Sequence, residues 1–347
     1  MKYNYPLKFR GLVLEGKKKL NLRNIVFEGP LKQNQVLVKI FYSGICGKQV
    51  EEYNFKIGKD KYIPHLLGHE GSGIVLDVGK NVKHVKKNDY VVLHWMKNKN
   101  GREADTATFK YLNSNKIINA GYVTTFSEFS VVSSNRVTKF SKNFDFKIAS
   151  LMGCCLTTGI GTVINQSKVK KKDKVLIVGA GGVGLSILVG LKIVKNKNIF
   201  IADIKASNLK KAKKMCKVNI INPKNGTNTK VKYDHIFIAT GERKAIEFAI
   251  DKSVPPGDIY FVGVPSPNIK LRVSALDIHR KKNFLGSTGG EIEAHKDIKK
   301  YLNYYKNNKK LFNQIILSSS NLEQAPNTLK KMSLGKINHG RNLIKFF

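Results

Sequence analysis

Two patterns of hydrophobic and polar positions divide the chain. From residue 1 to about 150, short β-branched or aromatic runs alternate with polar turns. "QVLVKIFYSGIC", "EGSGIVLDVG", "NDYVVLHWM" and "FSEFSVVSSNRVTKF" are each bounded by Gly, Asn, Asp or Ser, which predicts strands. Residues 97–120, "KNKNGREADTATFKYLNSNKIINA", interrupt this pattern with polar residues and read as a loop. From Lys174 the pattern becomes strand and helix in alternation: "KVLIVGA", "GGVGLSILVGLKIV", "NIFIADI", "ASNLKKAKKMC", "YDHIFIATG", "AIEFAIDKSV" and "DIYFVGVPS". That alternation predicts a parallel sheet wound with helices, so the fold class is α/β with a β-rich first part. Beyond about Gly290 the pattern gives a lysine-rich helix, "AHKDIKKYLNYYKNNK", and a closing strand, "RNLIKFF".

At 347 residues the chain is long enough for two domains, each burying its own core. The longest apolar run, Lys174 to Val194, is broken by glycines and fits a strand followed by a helix better than a membrane span. "MKYNYPLKFRGLVLEG" lacks the apolar core of a signal peptide, so a cytoplasmic protein with no membrane partner is expected. The formal charge of +38 comes almost wholly from lysines spread along the chain, and no nucleic-acid-binding motif with interleaved aromatics stands out. That distribution reads as a solvated lysine surface with no specific nucleic-acid partner, although it favours an anionic substrate. The four cysteines, Cys46, Cys154, Cys155 and Cys216, are too few for a disulfide framework and point to metal ligands, reactive thiols or core residues.

"VLIVGAGGVGLS" places Gly179, Gly181 and Gly184 in G-x-G-x-x-G, directly after a strand and opening a helix. In that context the glycines, with Gly182 and Val183 between them, form a turn whose free N–H groups bind a dinucleotide pyrophosphate. The next strand ends in Asp203, 19 residues past Gly184. A carboxylate there accepts from ribose hydroxyls and favours NAD over NADP, a preference weakened slightly by Lys205. Three glycine-rich segments supply a second constellation: Cys46 in "GICGKQ", His69 and Glu70 in "LLGHEGSGIV", and Cys154 in "LMGCCLTTGIG". Each residue alone reads as packing or as a hydrogen-bonded side chain. Together, two thiolates and an imidazole suit zinc and leave its fourth position open for water or substrate.

With these motifs, and "GRNLIKF" at the end, nearly the whole chain resembles the zinc-dependent alcohol dehydrogenases of the medium-chain dehydrogenase/reductase family. The resemblance implies a GroES-like catalytic domain over 1–155, a Rossmann domain over 156–287 and a return to the first domain over 288–347. It implies one catalytic zinc on Cys46, His69 and Cys154, with Cys154 preferred to Cys155, and Glu70 beside the metal. Thr158 would pack near the nicotinamide, and Arg341 would contact the pyrophosphate. The implied activity is hydride transfer between NAD and an alcohol, polyol or sugar-like secondary alcohol. The implied assembly is a homodimer through the Rossmann sheet, with "IYFVGVP" as its edge strand and a tetramer as the alternative.

The chain departs from the family in two places. Residues 97–120 contain no cysteine, so a second, structural zinc is not expected. Behind the first ligand, a hydroxyl residue, an aspartate and a relay histidine are replaced by Lys48, Gln49 and Glu51. Lys48 either takes over proton transfer, binds an anionic substrate group, or faces solvent. His94 and Trp95 line the pocket or form a packed pair. The alternatives in function are a zinc-free quinone or enoyl reductase of the same superfamily, or a non-catalytic NAD-binding or nucleic-acid-associated protein.

Overall fold

The computed structural model describes residues 3–56, 58–225, 231–337 and 340–347. The chain forms two compact units: Met1–Cys154 with Glu293–Leu302 and Ile316–Phe347, and Cys155–Ile292 with Asn303–Ile315. The expected return segment, 288–347, is therefore divided, because residues 303–315 group with the second unit.

In the first unit, strands Leu7–Gly16, Lys19–Phe27, Thr108–Tyr111, Ile117–Asn119 and His65–Leu66 close into a barrel. Alternation sets its inner face: Leu7 and Phe9 are buried while Lys8 and Arg10 between them are exposed. Residues 97–120 thus depart from the loop reading, since two short strands there pair Phe109 with Ile118 and put both side chains in the barrel core. At four and three residues, with Lys110 and Lys116 alongside, these strands are too short and too polar to show an alternating pattern. The preceding stretch is pinned by side chains: Ser134 Oγ accepts the Arg102 N–H at 3.0 Å, and buried Arg136 donates to the Trp95 carbonyl and pairs with Glu103.

A second sheet of this unit runs in the order Val137–Phe140, Tyr90–Leu93, Gly71–Val78, Gln35–Ile45, Arg341–Lys345, Ile316–Ser320, with Phe129–Ser133 also pairing Gln35–Ile45. Gln35–Ile45 is antiparallel both to Gly71–Val78, with Ser43 opposite Gly71, and to Arg341–Lys345, with Asn342 opposite Ile45. This register brings the residues after Ile45, those before Gly71 and Arg341 to one end of the sheet.

The second unit is a six-stranded parallel sheet in the order Asn219–Ile221, Asn198–Ala202, Lys174–Val178, Tyr233–Ile238, Ser253–Phe261, Lys282–Gly286, the doubly wound order of dinucleotide-binding folds. "IYF" lies in Ser253–Phe261, which is paired on both sides. The expected edge is therefore corrected to Lys282–Gly286, whose short sequence "KNFLG" gives little strand signal. Among the described residues, no helix is long and apolar enough to cross a membrane.

Candidate metal and cofactor sites

Cys46 is the residue between strand Gln35–Ile45 and helix Gly47–Asn54, with extended backbone. His69 and Glu70 immediately precede strand Gly71–Val78, and Cys154 follows the turn after helix Phe146–Leu151. The ligand atoms of Cys46, His69 and Cys154 lie within 4.8 Å of one another. His69 Nδ1 is 2.7 Å from Gln49 Nε2, whereas His69 Nε2 is buried with no hydrogen-bond partner in the protein. A buried imidazole nitrogen beside two thiols fits a metal ion: the donor set is that of zinc, with a position left for another ligand.

The charges in the cradle are coupled. Cys154 donates toward Cys46, and with the positive charges of Arg341 and His69 this holds the Cys46 thiol well below its ordinary range against the cost of burial. Cys154 moves well upward because Cys46 is its neighbour and because it too is buried. Burial works against a charged His69, but the Cys46 thiolate outweighs it and raises the imidazole.

Glu70 lies behind this set, fully buried, with Oε1 3.2 Å from Arg341 Nε. Its carbonyl accepts from Ser43 Oγ at 2.9 Å and from the Gly44 N–H at 3.1 Å. A Cβ at Gly44 would lie 2.5 Å from Glu70 Oε1, and one at Gly153 would lie 2.8 Å from Glu70 Cβ. Glycines flanking the ligand segments are thus needed for the close approach of Glu70. Arg341, expected at a pyrophosphate, is only 2% exposed and is this carboxylate's partner.

Lys48 is half-buried, with Nζ 3.1 Å from Glu51 Oε2, so it is paired rather than directed freely at solvent. Burial raises the Glu52 carboxyl, and the charges of His69, His65 and Lys48 only partly offset it. His94 is a core residue: its Nδ1–H donates to the Met96 carbonyl at 2.8 Å, and Nε2 accepts from Thr138 Oγ1 at 3.0 Å. Burial pushes its pKa down to about 4.

In the second unit, Gly179 has φ +100°, and a Cβ at Gly184 would lie 1.8 Å from the Gly179 carbonyl oxygen. Helix Gly182–Ile193 starts there, with Gly181 as its N-cap. Asp203 Oδ2 accepts the Ala180 N–H at 2.8 Å and Asn208 Nδ2 at 3.1 Å, and Oδ1 accepts the Lys205 N–H at 2.8 Å. The carboxylate that ends the second strand therefore also fixes the glycine turn. Thr158 is buried in helix Cys155–Gly161. Cys155 is buried beside Ser186 Oγ at 3.2 Å, apart from the three-ligand set.

Residues 32–142 match the family described as alcohol dehydrogenase GroES-like domain. The S-(hydroxymethyl)glutathione dehydrogenase of Paracoccus denitrificans is 26% identical to this chain, with 96% of this chain and 95% of that protein covered. The alcohol dehydrogenase class-3 of Cereibacter sphaeroides is 25% identical, with 94% and 96% covered. The solved structure of an alcohol dehydrogenase zinc-binding domain protein from Burkholderia ambifaria matches with a TM-score of 0.87 at 20% identity, covering 98% of this chain and 99% of that one. The chain is an oxidoreductase, similar over nearly its whole length to proteins named as alcohol dehydrogenases.

The motifs of the sequence carry the three candidate ligands, but they give only weak signals for two neighbours. Gln49 joins Cys46 to His69, accepting the Cys46 N–H through Oε1 at 3.0 Å. Its spacing of three residues from the helix-capping position was the available signal. Glu52 had no signal beyond its place on the same helix.

Proposed function

We propose that this chain is a zinc- and NAD-dependent dehydrogenase that moves hydride between NAD and an alcohol, polyol or sugar-like secondary alcohol. The observation that carries the reading is the convergence of Cys46, His69 and Cys154 around a buried His69 Nε2 that has no partner in the protein. Cys46, His69 and Cys154 would hold one zinc, which would supply Lewis-acid polarisation of the substrate oxygen. The protein's own groups do the rest. The N–H groups of the turn from Gly179 to Gly184, including Gly181, Gly182 and Val183, receive the pyrophosphate at a helix N-terminus, and Asp203 accepts from the ribose hydroxyls. In this reading Thr158 packs near the nicotinamide. Glu70 and Arg341 form a neutral pair behind the thiolates, which limits the negative charge of the cradle. The Lys48–Glu51 pair stands where the resembled family carries its proton relay, and we assign proton transfer to it.

The +38 charge and the name of the Paracoccus relative both favour an anionic alcohol or adduct over a neutral one. The proposal includes a cytoplasmic homodimer formed along the Lys282–Gly286 edge, checked by light scattering. Its test is a panel of alcohols, polyols and S-(hydroxymethyl)glutathione with NAD, followed by NADH absorbance. NADH formation that is abolished by a chelator and restored by zinc supports the reading. Chelator-resistant reduction of quinones or enones would replace it with the zinc-free reductase reading.

A further inference from the structure

Residues 94–98, "HWMKN", alternate in burial: His94, Met96 and Asn98 are buried, Trp95 is half-buried and Lys97 is exposed. The buried side is fastened to residues 134–138. The His94 N–H donates to the Arg136 carbonyl at 3.0 Å, and the Asn98 N–H donates to the Asn135 carbonyl at 2.9 Å. Asn98 Nδ2 also donates to the Val137 carbonyl, at 3.2 Å. Trp95 is held through its backbone instead. Its N–H donates to the Gly153 carbonyl at 3.4 Å, and its carbonyl accepts from Arg136 Nη1.

Gly153 directly precedes the candidate ligand Cys154, and it has no slack. A Cβ there would lie 2.2 Å from the Leu93 carbonyl oxygen and 2.8 Å from Glu70 Cβ. Residues 93–95 therefore form one wall of the turn that presents Cys154. Arg136 is 6% exposed, its Nη2 donates to Glu103 Oε2 at 3.2 Å, and its guanidinium lies 5.3 Å from the centre of the Tyr122 ring. Its Nε is buried with no hydrogen-bond partner. A guanidinium taken out of water is costly, and here the Trp95 carbonyl and the Glu103 carboxylate are what offset it. Both acceptors are thereby fixed to one planar group, and with them the place of Trp95 against Gly153.

We infer that Arg136 is a positioning residue for the candidate metal cradle: through the Trp95 carbonyl it holds residues 93–95 against Gly153, and so sets where Cys154 places its sulfur. The inference rests on the metal reading of Cys46, His69 and Cys154. A lysine at 136 keeps the charge, but its single ammonium does not span the two acceptors as the planar fork does.

The test strips metal from the wild type, Arg136→Met and Arg136→Lys, and titrates each with Co2+ while visible absorption is followed, since the spectrum reports the geometry of the bound ion. R136M keeps all three ligands, yet it binds Co2+ about 10-fold more weakly than the wild type and with an altered spectrum. R136K shows the same changes to a smaller degree, and it carries the test if R136M does not fold. Trp95 is the only tryptophan of the chain, so its fluorescence reads the same contact, and its emission shifts in both variants. A merely structural role for Arg136 lowers thermal stability but leaves Co2+ affinity and spectrum of the folded variants at their wild-type values. That result overturns the inference. Absence of Co2+ binding by all three proteins overturns the metal reading itself, and the inference with it.

Discussion

The cradle of the first unit and the turn of the second are built from different material. The cradle takes three side chains, Cys46, His69 and Cys154, from separate segments, and depends on sheet register to bring them within 4.8 Å. The turn is one stretch of backbone from Gly179 to Gly184, shaped by a positive φ and by the lack of a Cβ. A side-chain site can lose one group and keep its fold. A backbone site fails only when the turn itself is forced open. The two should therefore break by different mutations and with different symptoms.

The largest expected effect is on the cradle. His69→Ala removes one ligand and lowers turnover by roughly three orders of magnitude, because the several kcal/mol of Lewis-acid stabilisation is lost. Metal analysis and NADH titration check the contrast: zinc content falls while NADH affinity is kept. Gly184→Ala does the reverse. Its Cβ would meet the Gly179 carbonyl at 1.8 Å, and forcing it in costs about 3 kcal/mol or more. NADH binding and thermal stability fall together, and zinc content per folded chain does not.

Acid should separate the units as well. His94 lies in the first unit, and its folded pKa is depressed to about 4. Below the ordinary histidine value of about 6.5 the unfolded chain takes up a proton that folded His94 refuses, so stability is full above that pH. It is lost as pH falls toward about 4, by on the order of 2 to 3 kcal/mol. Thermal melts across this range should show a smaller acid loss in His94→Gln than in the wild type. The smallest stability effect belongs to Lys48→Met. This partly exposed pair with Glu51 contributes about 1 kcal/mol or less. Its turnover nonetheless falls about 100-fold with an altered pH–rate profile, since the pair is assigned proton transfer.

The same contrast explains what could be read from the sequence. The glycine turn and Asp203 were legible because one contiguous pattern carries them, and the strand–helix alternation around them gave the parallel sheet. The three candidate ligands were legible through their glycine-rich surroundings, which exist because Glu70 approaches Gly44 and Gly153 too closely for any side chain. What stayed hidden depends on pairing across the sequence. Phe109 and Ile118 form a barrel hairpin whose strands are too short to show a period. Lys282–Gly286 takes the edge from Ser253–Phe261 through a pairing that local composition does not encode. Arg341 reaches Glu70 only because its strand lies beside Gln35–Ile45. Gln49 showed itself as a substitution, but its position between Cys46 and His69 needed coordinates.

The most direct test of the central claim is zinc content per chain, measured on protein purified without a metal-binding tag and repeated on His69→Ala. The account predicts one zinc per wild-type chain and none in the variant, with both proteins folded and binding NADH. Wild-type protein that is folded and binds NADH, yet carries no zinc after purification and takes none up when zinc is supplied, would contradict it.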